Sequence, residues 1–227
     1  MAKNKYFGTD GIRDKAPSGL LTPNFCLNLG YALAAYLDGR GEVLLAMDTR
    51  ASSHYIKSSL VAGMNSMGVN VSSIDVAPTP ALSYILSSTK KFNIGIMISA
   101  SHNSWDYNGI KVFDASGFKI GEDNELKVEE LLDFYLSGGE VNHVQDKMGT
   151  YKNDFHLMMV YKTFLQETFQ DLPLDGITIA LDCANGASYS IVPSIFRDLG
   201  ATVHTMHVES NGYNINKDCG STHLDSL

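Results

Sequence analysis

The stretch best suited to chemistry is Ser99-Ala-Ser-His-Asn103, which follows a short apolar run and opens a polar segment with no hydrophobic periodicity. If the apolar run is a buried strand of an α/β sheet, that junction faces the crevice where such sheets bind ligands, and a hydroxyl there suits a nucleophile or phosphate carrier. Serine and asparagine are also ordinary loop residues. Ser101 and His102 are adjacent, so in extended chain they point to opposite sides, and no G-x-S-x-G elbow surrounds them; a Ser-His-Asp hydrolase is weakly supported. Carrying a phosphoryl group is the remaining chemistry, and it requires positive charge and backbone donors nearby. Arg13, just after Gly8-Thr-Asp-Gly11, and Lys111, after Asn108-Gly-Ile110, offer that charge. Taken singly, each is more often a solvated surface cation, and the two glycines equally fit an ordinary turn.

The elements that must position these residues are legible in the pattern. Thr22-Pro23 caps a helix with Phe25, Leu29, Leu33, Ala34 and Leu37 on one face, stopped by Gly39 and Gly41. Val43 to Met47 is an unbroken apolar run, as in a strand buried on both faces, with Asp48-Thr-Arg50 at its C-terminal end. A helix through Ile56, Leu60, Met64 and Met67, a strand over 69–75, a short helix over 81–86 and a strand over 93–99 continue the alternation. Ile110, Val112 and Phe113 suggest a further strand in a hairpin turning at Ala115-Ser-Gly117, and an acidic helix covers 123–136. After a patternless stretch the cycle restarts with a helix over 155–169, a strand over 177–181, a helix over 189–199 and a strand over 202–207. This order predicts an α/β chain: a three-layer α/β/α domain over 1–145 with a mixed, mostly parallel sheet, then part of a second, similar domain over 153–227.

The 227 residues carry 17 Lys+Arg against 25 Asp+Glu, a formal charge of −8. That balance argues against nucleic acid or an anionic membrane as partner. A hydrophobic fraction of 44% is enough for a sizeable core. Three widely spaced cysteines, Cys26, Cys183 and Cys219, read best as thiols in a reducing compartment. With neither a signal-peptide pattern nor a membrane-length apolar run, the expected location is cytoplasmic.

Five ordered motifs give the chain a more specific likeness: Tyr6-Phe-Gly-Thr-Asp-Gly-Ile-Arg13, Ser99-Ala-Ser-His-Asn103, Asn108-Gly-Ile-Lys111, Asp182-Cys-Ala-Asn-Gly-Ala187, and Asn214-Ile-Asn216 followed by Cys219-Gly-Ser-Thr-His223. Together they resemble the phosphohexomutase superfamily over the whole chain, its glucosamine branch more than its phosphomannomutase and phosphoglucomutase branch. The resemblance implies interconversion of glucosamine 6-phosphate and glucosamine 1-phosphate through a phosphoserine at Ser101 and a sugar bisphosphate. It gives Arg13 and Lys111 the neutralisation of charge and assistance to proton transfer, and makes His102 a candidate proton shuttle. Mg2+ would bind the phosphorylated Ser101, and a sugar bisphosphate would serve as activator. The family's Asp-Gly-Asp-x-Asp-Arg metal loop is not found in this sequence, and its ligands are expected beyond Leu227. Asp106, Asp114 and Asp182 are isolated carboxylates, expected in turns and caps.

On this likeness the sequence corresponds to the first half of a four-domain enzyme, expected to be inactive alone. A homodimer built on the unpaired edge of its second domain is a further expectation. Three positions depart from the family pattern: Ser104 stands where proline is usual, Tyr107 where aspartate is usual, and Ala51-Ser-Ser53 where a glycine commonly follows Asp48-Thr-Arg50. The competing readings are a phosphomannomutase or phosphoglucomutase, and a truncated chain that binds without turnover.

Overall fold

A computed structural model describes residues 4–225 and Leu227. Six strands form one mixed sheet: β1 (Ile12–Lys15), β2 (Glu42–Met47), β3 (Asn70–Val76), β4 (Ile94–Ile98), β5 (Tyr107–Asp114) and β6 (Tyr151–Asn153). Their spatial order is β1-β5-β4-β2-β3-β6; β2, β3, β4 and β6 run parallel, and β5 is antiparallel to both β4 and β1. Helices α1 (Pro23–Tyr36), α2 (Ala51–Ser66) and α4 (Glu122–Leu136) cover one face, whose core includes Val43, Leu45, Met47, Ile96 and Ile98. Helix α3 (Thr79–Thr89) covers the other face with α5 (Leu157–Thr168) and α6 (Ile191–Asp198), over Leu44, Ala46, Ile74 and Met97. Consecutive β2 residues thus point into opposite cores, which is why this strand shows no polar alternation. The arrangement is the expected three-layer α/β/α.

Local chemistry explains the frame. Thr22 Oγ1 accepts the Phe25 N–H at 3.2 Å and Pro23 occupies the first helical turn, so α1 starts where an orphan donor is satisfied. Helices α1 and α2 touch through Gly30 and Gly63, where a β-carbon on Gly63 would lie 2.5 Å from the Leu27 carbonyl. Only glycine permits that approach, which lets the two helices pack closely side by side on the same face of the sheet. The buried Glu129 carboxylate of α4 accepts the backbone N–H groups of Lys5, Tyr6 and Phe7 at 2.6–2.7 Å. It fixes the segment leading into Gly8-Thr-Asp-Gly11.

Three features differ from the sequence reading. β1 was not foreseen: Ile12-Arg-Asp-Lys15 has one apolar residue, and only its pairing with β5 makes it a strand. The turn at 115–117 is followed by a single bridge, Phe113 with Lys119, whereas the long partners of β5 are β4 and β1. β6 extends the first sheet by pairing with β3, so residues 151–153 join the first layer immediately before the second unit begins. That unit comprises β7 (Thr178–Asp182), α6 and β8 (Thr202–Met206), a parallel two-stranded ribbon joined by a crossover helix. Among the described residues no helix is long and apolar enough to cross a membrane.

Candidate functional site

β4 delivers Ser99 to the C-terminal rim of the parallel strands. The Ser99 N–H still donates to the Gly109 carbonyl at 2.9 Å, and Ser99 Oγ accepts the Ser101 N–H at 3.1 Å. Between those bonds the chain leaves the sheet, and Ser101 adopts a left-handed backbone, φ 57°, with its side chain exposed. Such a conformation costs about 1–2 kcal/mol for a residue with a β-carbon, so the surroundings must hold it.

Two donors hold it from opposite parts of the chain. Arg50, fully buried at the start of α2, sends Nη2 to the Ser101 carbonyl at 3.2 Å and the Asn103 carbonyl at 2.6 Å, while Nη1 pairs with buried Asp48. Asn216 Nδ2 donates to the same two carbonyls, at 2.9 and 3.0 Å. Trp105 packs edge-on against Tyr213 with ring centres 5.1 Å apart, adding an apolar contact between the same two segments. Asn108, buried at the head of β5, donates to Ser52 Oγ at 2.8 Å and Ser53 Oγ at 3.1 Å. The unusual Ala51-Ser-Ser53 thus gives Asn108 its acceptors. Ser104 and Tyr107 are also accommodated: Ser104 Oγ reaches Asp106 at 2.5 Å, Asp106 pairs with Lys15 at 3.0 Å, and Tyr107 opens β5 opposite Lys15. The Ser104 hydrogen bond, then Lys15, lowers the Asp106 pKa below the ordinary carboxylate range.

The two expected cations sit on the neighbouring strands. Arg13 pairs in register with Gly109, which itself bonds to Ser99, so one cross-strand row of about 10 Å contains all three. Lys111 lies two residues along β5 on the same face. Gly11 faces it with φ 87°, and a β-carbon there would stand 2.4 Å from the Ile110 carbonyl and 3.0 Å from Lys111 Cγ. Arg13 Nη2 is 3.6 Å from Asp10, and the Nε–H groups of Arg13 and Arg50 are buried without a partner among the described residues. The Arg13 side chain is 22% exposed, so part of its guanidinium is open to an anion at this end of the sheet. His102 is exposed and makes no side-chain hydrogen bond among the described residues. Asp114 and Asp182 each accept backbone N–H groups, the former in the 114–118 turn and the latter from Ala184 and Gly220.

Burial holds the Lys111 pKa below its ordinary value, Arg13 and Lys119 push the same way, and Asp10 opposes them. Between that lowered value and the ordinary lysine value, the unfolded chain binds more protons than the folded one, so this site's contribution to stability rises with pH. Lys111→Met is therefore expected to raise the denaturant midpoint at about pH 7 and to narrow its advantage at about pH 10. An equal or lower midpoint at the neutral value would show that the ammonium is not held at a cost.

Arg50 and Asn216 were visible in the sequence as motif members only. Their function as clamps rests on contacts 51 to 53 and 113 to 115 residues apart. The one local signal was a charged pair, Asp48 and Arg50, at the end of an apolar strand.

Comparison with known proteins identifies the class. Residues 4–135 match the family described as phosphoglucomutase/phosphomannomutase, alpha/beta/alpha domain I, and the chain belongs to that family. Among its relatives is Phosphoglucosamine mutase 2 of Shewanella frigidimarina, 43% identical over 227 residues, covering 98% of this chain and 50% of that protein. Phosphoglucosamine mutase of Alcanivorax borkumensis is 41% identical over 231 residues, with 98% and 50% covered. The chain spans about half the length of the curated relatives it matches. A putative phosphomannomutase from Thermus thermophilus has a similar solved structure, with TM-score 0.72, 25% identity, and coverage of 94% of this chain and 48% of that one.

Proposed function

We propose that this chain carries the phosphoserine and phosphate-facing cations of a phosphoglucosamine mutase, which interconverts glucosamine 6-phosphate and glucosamine 1-phosphate. The observation that carries the reading is the clamped loop: Arg50 and Asn216 fix the carbonyls of Ser101 and Asn103 and leave the Ser101 side chain exposed. The relatives named phosphoglucosamine mutase support the choice of sugar.

In this reading phosphorylated Ser101 gives its phosphoryl group to a sugar hydroxyl: the new O–P bond forms as the Ser101 Oγ–P bond breaks, yielding a sugar bisphosphate. The bisphosphate reorients, and its other phosphoryl group returns to Ser101 Oγ. Arg13 and Lys111 neutralise charge on the transferring group, which is the larger part of catalysis for such reactions. Lys111, with its lowered pKa, and exposed His102 are the groups suited to take and return the hydroxyl proton.

Mg2+ would supply further charge neutralisation at the phosphoserine. A hard dication wants several oxygen ligands, yet the side chains around the loop are donors and cations, and nearby Asp48 and Asp106 are engaged by Arg50 and Lys15. Phosphorylated Ser101 is the single ligand assigned to this chain. We place the protein in the cytoplasm, in keeping with three buried, unpaired thiols. The edges of the β7–β8 ribbon suit strand addition, including by a second copy.

The test is an assay of the protein as its own cells make it, with a sugar bisphosphate activator and glucosamine, glucose and mannose phosphates as substrates. Preferred turnover of the glucosamine phosphates is expected, and the 227-residue polypeptide alone should turn over none. Preference for glucose or mannose phosphate would move the assignment to the sister branch. No turnover of any of them by the native protein would favour a binding role.

A further inference from the structure

The segment that brings Asn216 to the serine loop closes on a second polar centre. β7 ends in Asp182, β8 is followed directly by His207, and Cys219 lies three residues beyond Asn216. His207 Nδ1 is 3.0 Å from Asp182 Oδ1, and one ligand atom from each of Asp182, His207 and Cys219 falls within 4.8 Å of the others. The Asp182 side chain is 7% exposed and Cys219 is fully buried, while His207 is open on one side. Asp182 is also fixed in place, because Ala184 N–H donates to Oδ1 at 2.8 Å and Gly220 N–H to Oδ2 at 2.7 Å.

This cluster gathers an anion, an imidazole and a buried thiol from three separate turns. Burial raises the pKa of Asp182, but the Gly220 and Ala184 amides and His207 outweigh it and bring the net value below the ordinary one. Burial and then the Asp182 charge raise the Cys219 pKa. A carboxylate and a thiolate together would balance the two positive charges of a divalent cation.

We propose that Asp182, His207 and Cys219 form a binding site for a borderline-soft divalent cation of the zinc class, with water in the remaining position. One carboxylate oxygen, one imidazole nitrogen and one thiolate are ligand types that zinc takes and that magnesium, which demands an oxygen shell, does not. On binding, neutral His207 carries its proton on Nε2 so that Nδ1 can ligate, and Cys219 releases one proton to solvent. The cation ties the ends of β7 and β8 to the turn after Asn216, and so stiffens the clamp on the Ser101 loop. The site is independent of the mutase assignment.

Cobalt is the probe, because thiolate ligation gives it a charge-transfer absorption that oxygen and nitrogen ligands do not. Titration of the 227-residue chain is expected to show one Co2+ bound with that band, displaced by Zn2+. Cys219→Ser should lose the band. His207→Asn gives a second arm that guards against misfolding: His207 has φ 52°, a conformation asparagine tolerates well, and Asp182 keeps its two backbone N–H donors, so this variant should still fold. Its Zn2+ affinity, read by competition with a chromophoric chelator, should fall at least about tenfold. His54→Gln, at an exposed position on α2, should leave the affinity unchanged. No thiolate band in the parent chain, a band that survives Cys219→Ser, or an unaltered Zn2+ affinity in His207→Asn would each overturn the site.

Discussion

Ser101→Ala in the protein as its cells make it is expected to cut glucosamine phosphate interconversion by at least about a thousandfold while leaving the fold intact. The first half of that expectation follows from the chemistry, since alanine offers no oxygen to carry the phosphoryl group between the two sugar positions. The second follows from the structure: the Ser101 side chain is exposed, and the clamp from Arg50 and Asn216 acts on the carbonyls of Ser101 and Asn103. Alanine keeps both carbonyls. Ser99→Ala serves as the comparison, because it removes only the Oγ that accepts the Ser101 N–H. It should lower the rate far less. Equal losses in the two variants, or full activity in Ser101→Ala, would remove Ser101 from the reaction.

Arg50→Met should cost about 3–5 kcal/mol of stability, because it strands the buried Asp48 carboxylate without its partner. In a chain of this size that corresponds to a fall in melting temperature of roughly 10 °C. Two hydrogen bonds to the serine loop go with it. Lysine is a poor substitute, since one ammonium cannot meet a carboxylate and two carbonyls with the fixed fork of a guanidinium. Burial already holds the Arg50 pKa below its ordinary value, Asp48 opposes the shift and Arg13 adds to it. The cation is therefore retained by its partners. Combining Asp48→Asn with Arg50→Met should recover part of the loss, because the uncompensated charge disappears. A melting temperature in Arg50→Met within a degree or two of the parent would contradict the buried-pair account, and an additive double variant would contradict the coupling.

The elements that could be read from the sequence are those whose burial is written into local periodicity. β2 and β4 are apolar at almost every position because both faces of the sheet are covered, and α1 announces itself through Thr22-Pro23. β1 and β6 lack any such signature. Ile12-Arg-Asp-Lys15 and Tyr151-Lys-Asn153 are polar edge segments, and each becomes a strand only by pairing with a neighbour far along the chain. The site divides in the same way. Ser101 stands out by residue type at the end of an apolar run, Arg13 and Lys111 by charge and by the glycines that precede them, and their motifs match the family. The roles of Arg50 and Asn216 come from tertiary contacts, and no local pattern states which carbonyls they will reach. Asp182 looked like an isolated carboxylate because His207 and Cys219 lie 25 and 37 residues away in sequence and meet it only when the β7–β8 ribbon closes.

The most direct test of the central claim is phosphopeptide mapping of the protein isolated from its own cells, before and after exposure to glucosamine 6-phosphate. The account predicts a peptide spanning Ser101 with the mass increment of one phosphoryl group, fragmenting to place it on that hydroxyl. Brief exposure to the sugar phosphate should shift that phosphoryl group into sugar bisphosphate, and added bisphosphate should restore it. An active protein with unmodified Ser101, or with the exchangeable phosphoryl group on another side chain, would contradict the account.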